Sequence, residues 1–185
     1  TNQGLENPTL VRLNENILLK LNRSLRPFEK IVINGLRIQL SSKEPSFKNE
    51  RLNIEWGKGV NVNDVDALLS TGEFDVFAMV HNETSTGVQS NLEDISFLLK
   101  EKYPDVIWLV DAVSSMAGSK IELDRLGIDY ILSSTQKAWG LPAGFSIFSV
   151  SDRFREVSQS IEQKGYYFDL AVYDKYYEKM QTPST

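Results

Sequence analysis

Cysteine is absent from the 185 residues, which removes disulfide frameworks, zinc–thiolate sites and cysteine nucleophiles from consideration. Histidine occurs once, at His81, so no site built on several imidazoles can form and no metal centre is expected. No stretch approaches ~18 uninterrupted apolar residues, and the polar start Thr1 to Pro8 lacks the charged opening and apolar run of a signal peptide. A membrane or secretory role is therefore not expected, and the cytoplasm is the default compartment. Neither a Gly-x-Gly-x-x-Gly fingerprint nor a phosphate-binding Gly-Lys-Ser/Thr loop occurs, which counts against a doubly wound nucleotide-binding domain. Basic residues are outnumbered, 20 Lys+Arg against 25 Asp+Glu. The resulting charge of -5 repels phosphate backbones, so nucleic acid is not an expected partner.

What is present is ordinary globular material. Hydrophobic residues make up 41% and charged residues 24%, enough apolar surface for a core, and the length allows one full domain at about 150 residues per domain. Short apolar runs alternate with segments of helical spacing, the pattern of parallel βαβ units. Strands are predicted at Lys30 to Ile33, Leu52 to Trp56, Phe74 to Val80, Val106 to Val110, Tyr130 to Ser133 and Phe145 to Val150. Helices are predicted at Asn63 to Leu69, Asn91 to Leu99, Asp152 to Gln163 and Leu170 to Met180, with Tyr166-Tyr167-Phe168 as an aromatic link. The polar stretch Ser41 to Asn49 reads as a solvated loop, and Gln181 to Thr185 as a turn or linker. Leu10, Leu13, Ile17, Leu18 and Leu21 keep helical spacing, but the asparagines between them dilute it. The fold class is α/β, one mixed or mostly parallel sheet flanked by helices.

Three stretches can carry chemistry. In Val106-Ile-Trp-Leu-Val-Asp111-Ala-Val-Ser-Ser an acid follows a buried strand, and open α/β sheets bind ligands beyond the carboxyl ends of their strands. An Asp there also serves as a helix cap or turn former. In Asp129-Tyr-Ile-Leu-Ser-Ser-Thr-Gln-Lys137-Ala-Trp-Gly a second strand delivers a lysine into a loop, where a lysine that merely solubilises is the bland alternative. His81-Asn-Glu-Thr-Ser-Thr-Gly87 gathers hydroxyls around the lone imidazole, able to hydrogen-bond a ring oxygen or polar substrate, or simply to turn the chain.

As a pair, Asp111 and Lys137 suit pyridoxal 5'-phosphate, whose aldehyde requires a lysine and whose ring nitrogen requires a carboxylate. An anionic Asp keeps the pyridine protonated, and a lysine amine freed by an incoming amino acid can move the α-proton.

Taken in order, His-Asn-Glu-Thr-Ser-Thr-Gly, Val-Asp-Ala-Val-Ser-Ser and Ser-Ser-Thr-Gln-Lys-Ala resemble the class V, fold-type I pyridoxal-phosphate aminotransferases. The likeness is greatest to the alanine–glyoxylate, serine–pyruvate and phosphoserine aminotransferase group, and it runs from about Asn53 to Thr185. The resemblance implies that Lys137 forms the Schiff base, Asp111 faces the pyridine nitrogen and Val113 packs on the ring. It further implies that Gln136 reaches the phosphate and Thr84 the phenolic oxygen, with His81 opening the same loop. A homodimer with shared sites follows from the likeness as well, with Thr185, and after it Thr182, reaching the partner's phosphate. The implied substrates are a small amino acid and a 2-oxo acid.

The resemblance makes residues 1–185 the cofactor-binding large domain, incomplete on its N-terminal side and without the small C-terminal domain. The family's Gly-Ser-Gly-type phosphate loop has no match: Asn7-Pro8-Thr9-Leu10-Val11 stands there, with Gly4 the nearest glycine. After Asn34-Gly35 comes Arg37 where the family places a stacking aromatic. Alternatives are a non-catalytic α/β dimerisation module and another class V enzyme, a lyase or a desulfurase; the desulfurase is disfavoured by the missing cysteine.

Overall fold

A computed structural model describes residues 30–34, 48–72, 74–160 and 169–182. Two compact units divide the chain, Phe28–Gly35 with Phe47–Phe154, and Thr1–Pro27 with Leu36–Ser46 and Arg155–Thr185. The first contains a six-stranded sheet of β1 (Lys30–Asn34), β2 (Lys48–Leu52), β3 (Val76–Val80), β6 (Ile107–Asp111), β7 (Tyr130–Ser134) and β8 (Ser146–Val150), in the order β2-β1-β3-β6-β7-β8. All neighbours run parallel except β7 and β8, which are antiparallel. A separate hairpin of β4 (Asn82–Glu83) and β5 (Val88–Gln89) follows β3.

The central strands are apolar on both faces. Phe77 and Met79 of β3 join Trp108 and Val110 of β6 in the main core, while Val76, Ala78, Ile107 and Leu109 alternate to the opposite face and are buried too. Strands covered on both sides read as continuous apolar runs, which is why Val-Phe-Ala-Met and Ile-Trp-Leu-Val were legible as strands. Helices α1 (Val62–Leu69) and α2 (Leu92–Lys102) supply Val65, Leu69, Leu92, Ile95, Leu98 and Leu99 to the same core. Asn61 and Asn91 cap them, each side-chain oxygen accepting a backbone N–H two residues on, at 2.8 and 2.9 Å. Acidic Glu93 and Asp94 at the start of α2, and Lys100 and Lys102 at its end, complement the helix dipole.

The structure moves one predicted strand. β2 occupies Lys48–Leu52, starting on the last two residues of what the polarity of Ser41 to Asn49 marked as loop and ending where the predicted strand was to begin, while Trp56 and Gly57 form a turn closed by Lys58 N–H to Glu55 O at 3.0 Å. Gly57 adopts φ 83° there, a conformation that favours glycine. Backbone pairing with β1 lets a polar Lys-Asn-Glu-Arg run serve at the sheet's edge. The short helix α3 (Leu123–Leu126), ended by Gly127 at φ 74°, carried too few residues to show a period. Helix α4 runs Asp152–Gln159 and α5, in the second unit, Leu170–Glu178. The Tyr166-Tyr167-Phe168 link and the helically spaced Leu10, Leu13, Ile17, Leu18 and Leu21 lie outside the described residues.

A buried ionic knot ties β6, β7 and the start of α4 together. Asp129, 3% exposed, accepts from the Trp108 N–H at 2.9 Å, the Ser151 hydroxyl at 2.8 Å and the Arg153 guanidinium at 2.5 and 3.1 Å. Arg153 also donates to the carbonyls of Val106 and Pro104.

Candidate active site

The parallel strands β3, β6 and β7 end at the same edge of the sheet, because Val80 stands in register with Asp111 and Asp111 with Leu132. Their following loops therefore share one end of the molecule's first unit, the end where α/β sheets bind ligands.

Asp111 terminates β6. Its Oδ1 accepts from the Val113 N–H at 2.9 Å. Burial pushes the carboxyl above the usual carboxylate range; the Val113 N–H opposes this, Glu83 adds to it, and the Lys137 charge pulls the other way. Lys137 thus acts electrostatically on Asp111 from the neighbouring strand's loop.

That loop is held in shape by its own backbone. Lys137 N–H reaches Ser134 O at 3.3 Å and Gly140 N–H reaches Lys137 O at 2.9 Å. The buried Thr135 hydroxyl donates to Pro142 O at 2.6 Å, and Thr135 N–H reaches Phe145 O at 3.2 Å. Gly140 at φ 65° and Gly144 at φ 128° take conformations that other residues rarely adopt. Lys137 is half-buried and Gln136 exposed. Trp139 donates its indole N–H to Ser133 Oγ at 3.2 Å, and Ser133 Oγ lies 3.5 Å from Val113 O, so the lysine loop and the Val113 turn meet at one hydroxyl.

The His81 segment folds as the β4–β5 hairpin, turned by Gly87 at φ 69°. It is laced to the end of β6 and the residues after it at four points. His81 N–H donates to Asp111 O at 2.9 Å, His81 Nδ1 and Ser115 Oγ share a 2.8 Å hydrogen bond, Thr84 Oγ1 lies 2.6 Å from Ser114 Oγ, and Gln89 Nε2 donates to Ser119 Oγ at 2.7 Å. His81 is buried, and desolvation holds its imidazole below the usual range, so it stays neutral. Thr84, by contrast, is exposed.

Asp111, Val113, Thr84, His81, Gln136 and Lys137 therefore all belong to loops of one sheet edge. Thr185 lies outside the described residues, as do Asn7 to Val11 and Arg37, and Thr182 is exposed in the second unit. Reading the sequence missed Ser114 and Ser115 as partners of the hairpin, and Ser134, whose buried hydroxyl has no hydrogen-bond partner among the described residues. Nothing in a run such as Ser-Ser-Thr distinguishes a paired hydroxyl from an orphan one. Among the described residues no cluster of three or more His, Asp or Glu is placed to hold a metal ion, and no helix is long and apolar enough to cross a membrane.

The sequence and the fold both have relatives. Residues 37–184 match the family model for class-V aminotransferases. An uncharacterized aminotransferase of Methanocaldococcus jannaschii is 36% identical over 145 residues, covering 76% of this chain and 37% of its own length. The serine–glyoxylate aminotransferase of Arabidopsis thaliana is 31% identical over 139 residues, 74% of this chain and 35% of that protein. Among solved structures, an alanine–glyoxylate aminotransferase from Nostoc sp. superimposes with a TM-score of 0.77 at 26% identity, covering 92% of this chain and 47% of the other. The chain thus spans little more than a third of the length of these two curated relatives. With its mostly parallel sheet, its flanking helices and this match over most of its length, the chain belongs to the class-V aminotransferase family.

Proposed function

We propose that this chain is the cofactor-binding part of a pyridoxal 5'-phosphate-dependent aminotransferase that exchanges an amino group between a small amino acid and a 2-oxo acid. The observation that carries this reading is that Asp111 ends β6 while Lys137 follows the adjacent parallel strand β7, whose register sets Leu132 beside Asp111.

The residues present suit that group. A ring nitrogen that carries a proton offers Asp111 the cation that burial makes it lack, and the ionised carboxylate is then favoured. Val113, whose N–H anchors Asp111 Oδ1, would pack on the ring, and the exposed hydroxyl of Thr84 would meet the ring oxygen. The Ser134 hydroxyl, three residues before Lys137 and without a partner among the described residues, is one that a phosphate oxygen would satisfy. Gln136 adds an exposed amide beside it. When bound, the cofactor supplies the electron sink that makes the amino acid's α-proton labile. Lys137 Nζ would hold the cofactor and, when freed, would be the group that carries the α-proton. The relatives named for serine–glyoxylate and alanine–glyoxylate transfer support a small donor and glyoxylate as acceptor. In the whole protein we assign two copies to a homodimer, Thr185 reaching the partner's phosphate.

Titration of the purified protein with pyridoxal 5'-phosphate is expected to produce an absorbance band near the visible edge, and borohydride is expected to fix the label on Lys137. The same band in Lys137→Ala would overturn the reading.

A further inference from the structure

Thr84 and Ser114 come from loops 30 residues apart in sequence, yet their hydroxyl oxygens lie 2.6 Å apart. The register explains the meeting. Val80 pairs with Asp111, so the chain three to four residues beyond each strand end arrives at the same place. The neighbouring contacts, His81 with Ser115 and Gln89 with Ser119, hold both loops so that the pair does not depend on its own bond to stay together.

A hydroxyl has one proton to donate and two lone pairs. If Thr84 donates to Ser114, it presents only lone pairs to whatever enters the site; if Ser114 donates, the Thr84 proton is free to point outward. The surroundings of Thr84 are acidic, with Glu83 next to it in the chain and Asp111 within electrostatic reach of Glu83. Glu83 Oε1 is itself occupied, accepting from the Ser85 N–H at 3.0 Å and the Ser85 hydroxyl at 2.5 Å. It is therefore engaged by Ser85, and Ser114 is the side chain hydrogen-bonded to Thr84.

We propose that Ser114 is a positioning residue that donates its proton to Thr84 and so turns the Thr84 hydroxyl into a donor aimed at an anionic oxygen of the bound ligand. This rests on the reading of Thr84 as the group facing the ring oxygen of pyridoxal 5'-phosphate. The donor chain runs Ser114 to Thr84 to ligand oxygen, each bond polarising the next. Ser114 does not touch the ligand, and its effect passes entirely through Thr84.

The test is a cycle of Ser114→Ala, Thr84→Val and the double variant, read by affinity for pyridoxal 5'-phosphate and by the pH at which the visible absorbance of the bound cofactor changes. Ser114→Ala is expected to weaken binding about fivefold, the loss of one net hydrogen bond, and to raise that pH, because a hydrogen bond to the ionised oxygen favours its charged form. Ser114→Thr, which keeps the hydroxyl, is expected to restore both. In the Thr84→Val background, removing Ser114 is expected to change affinity by less than about twofold. An effect of Ser114→Ala that persists undiminished beside Thr84→Val, or no effect at all, would overturn the proposal while a cofactor band in the unaltered protein leaves the function standing. Absence of that band in the unaltered protein overturns both.

Discussion

The backbone N–H of His81 donates to the backbone carbonyl of Asp111 at 2.9 Å, extending the β3–β6 ladder one residue past Val80. The lone histidine is thereby fastened to the strand end that carries the half-buried Asp111. Its side chain turns to Ser115 rather than to open space, and burial keeps it neutral. This is a framework role: the imidazole holds the hairpin while Thr84, three residues on, stays exposed.

Asp111 carries a cost that depends on pH. Burial raises its carboxyl in the folded state, so the native protein binds more protons than the unfolded chain between the ordinary carboxylate range and the raised value. Stability falls as pH rises through that window. Without cofactor, Asp111→Asn is expected to melt at a higher temperature than the unaltered protein at neutral pH. The two are expected to converge below the ordinary carboxylate range. Thermal melts at several pH values measure this, and a gap that persists unchanged into acid would contradict it. Binding of pyridoxal 5'-phosphate is expected to be weakened in the same variant, separating stability from function.

Two arginines with similar ion-pair geometry are expected to differ in worth. Arg153 meets Asp129, whose side chain is 4% exposed, whereas Arg125 meets Glu93 and Glu122 at 57% and 41% exposure. Arg153→Met strands a buried charge and is expected to cost about 2–4 kcal/mol. Arg125→Met, whose partners are open to solvent, is expected to leave the unfolding midpoint nearly unchanged. Urea unfolding of the two variants decides, and equal losses would show that the Asp129 knot is not the anchor described.

Gly118 bears on the lysine loop. A Cβ there would come within 3.1 Å of the Ala138 Cβ and 3.5 Å of Ser115 O, closer than ordinary contact allows on the Ala138 side. Since Ala138 adjoins Lys137, Gly118→Ala is expected to cost about 1 kcal/mol in stability. It is also expected to weaken cofactor uptake beyond that, as the turn presses on the lysine's backbone. Equal affinity in the variant would show that the Ala138 side gives way freely.

The fold was legible where burial on two faces left continuous apolar runs, as in Val76–Val80 and residues 107–110, and where Asn91 announced a helix start. It was illegible at β2, an edge strand whose Lys-Asn-Glu-Arg-Leu run is paired through backbone hydrogen bonds that no side-chain pattern reports. The β4–β5 hairpin was equally hidden, since strands of two residues have no period to detect.

The residue order by itself determined which groups could do chemistry: an acid and a lysine, each just beyond an apolar strand, with hydroxyls clustered after a third. Only tertiary structure decided how those groups meet. The parallel register that sets Val80 against Asp111 and Asp111 against Leu132 brings together loops far apart in the chain. That proximity let Ser114 and Ser115 engage Thr84 and His81, while the Ser134 hydroxyl meets no partner among the described residues. A hydroxyl's partner is set by distances of a few ångströms between separate segments, and those distances are a property of packing rather than of spacing along the chain.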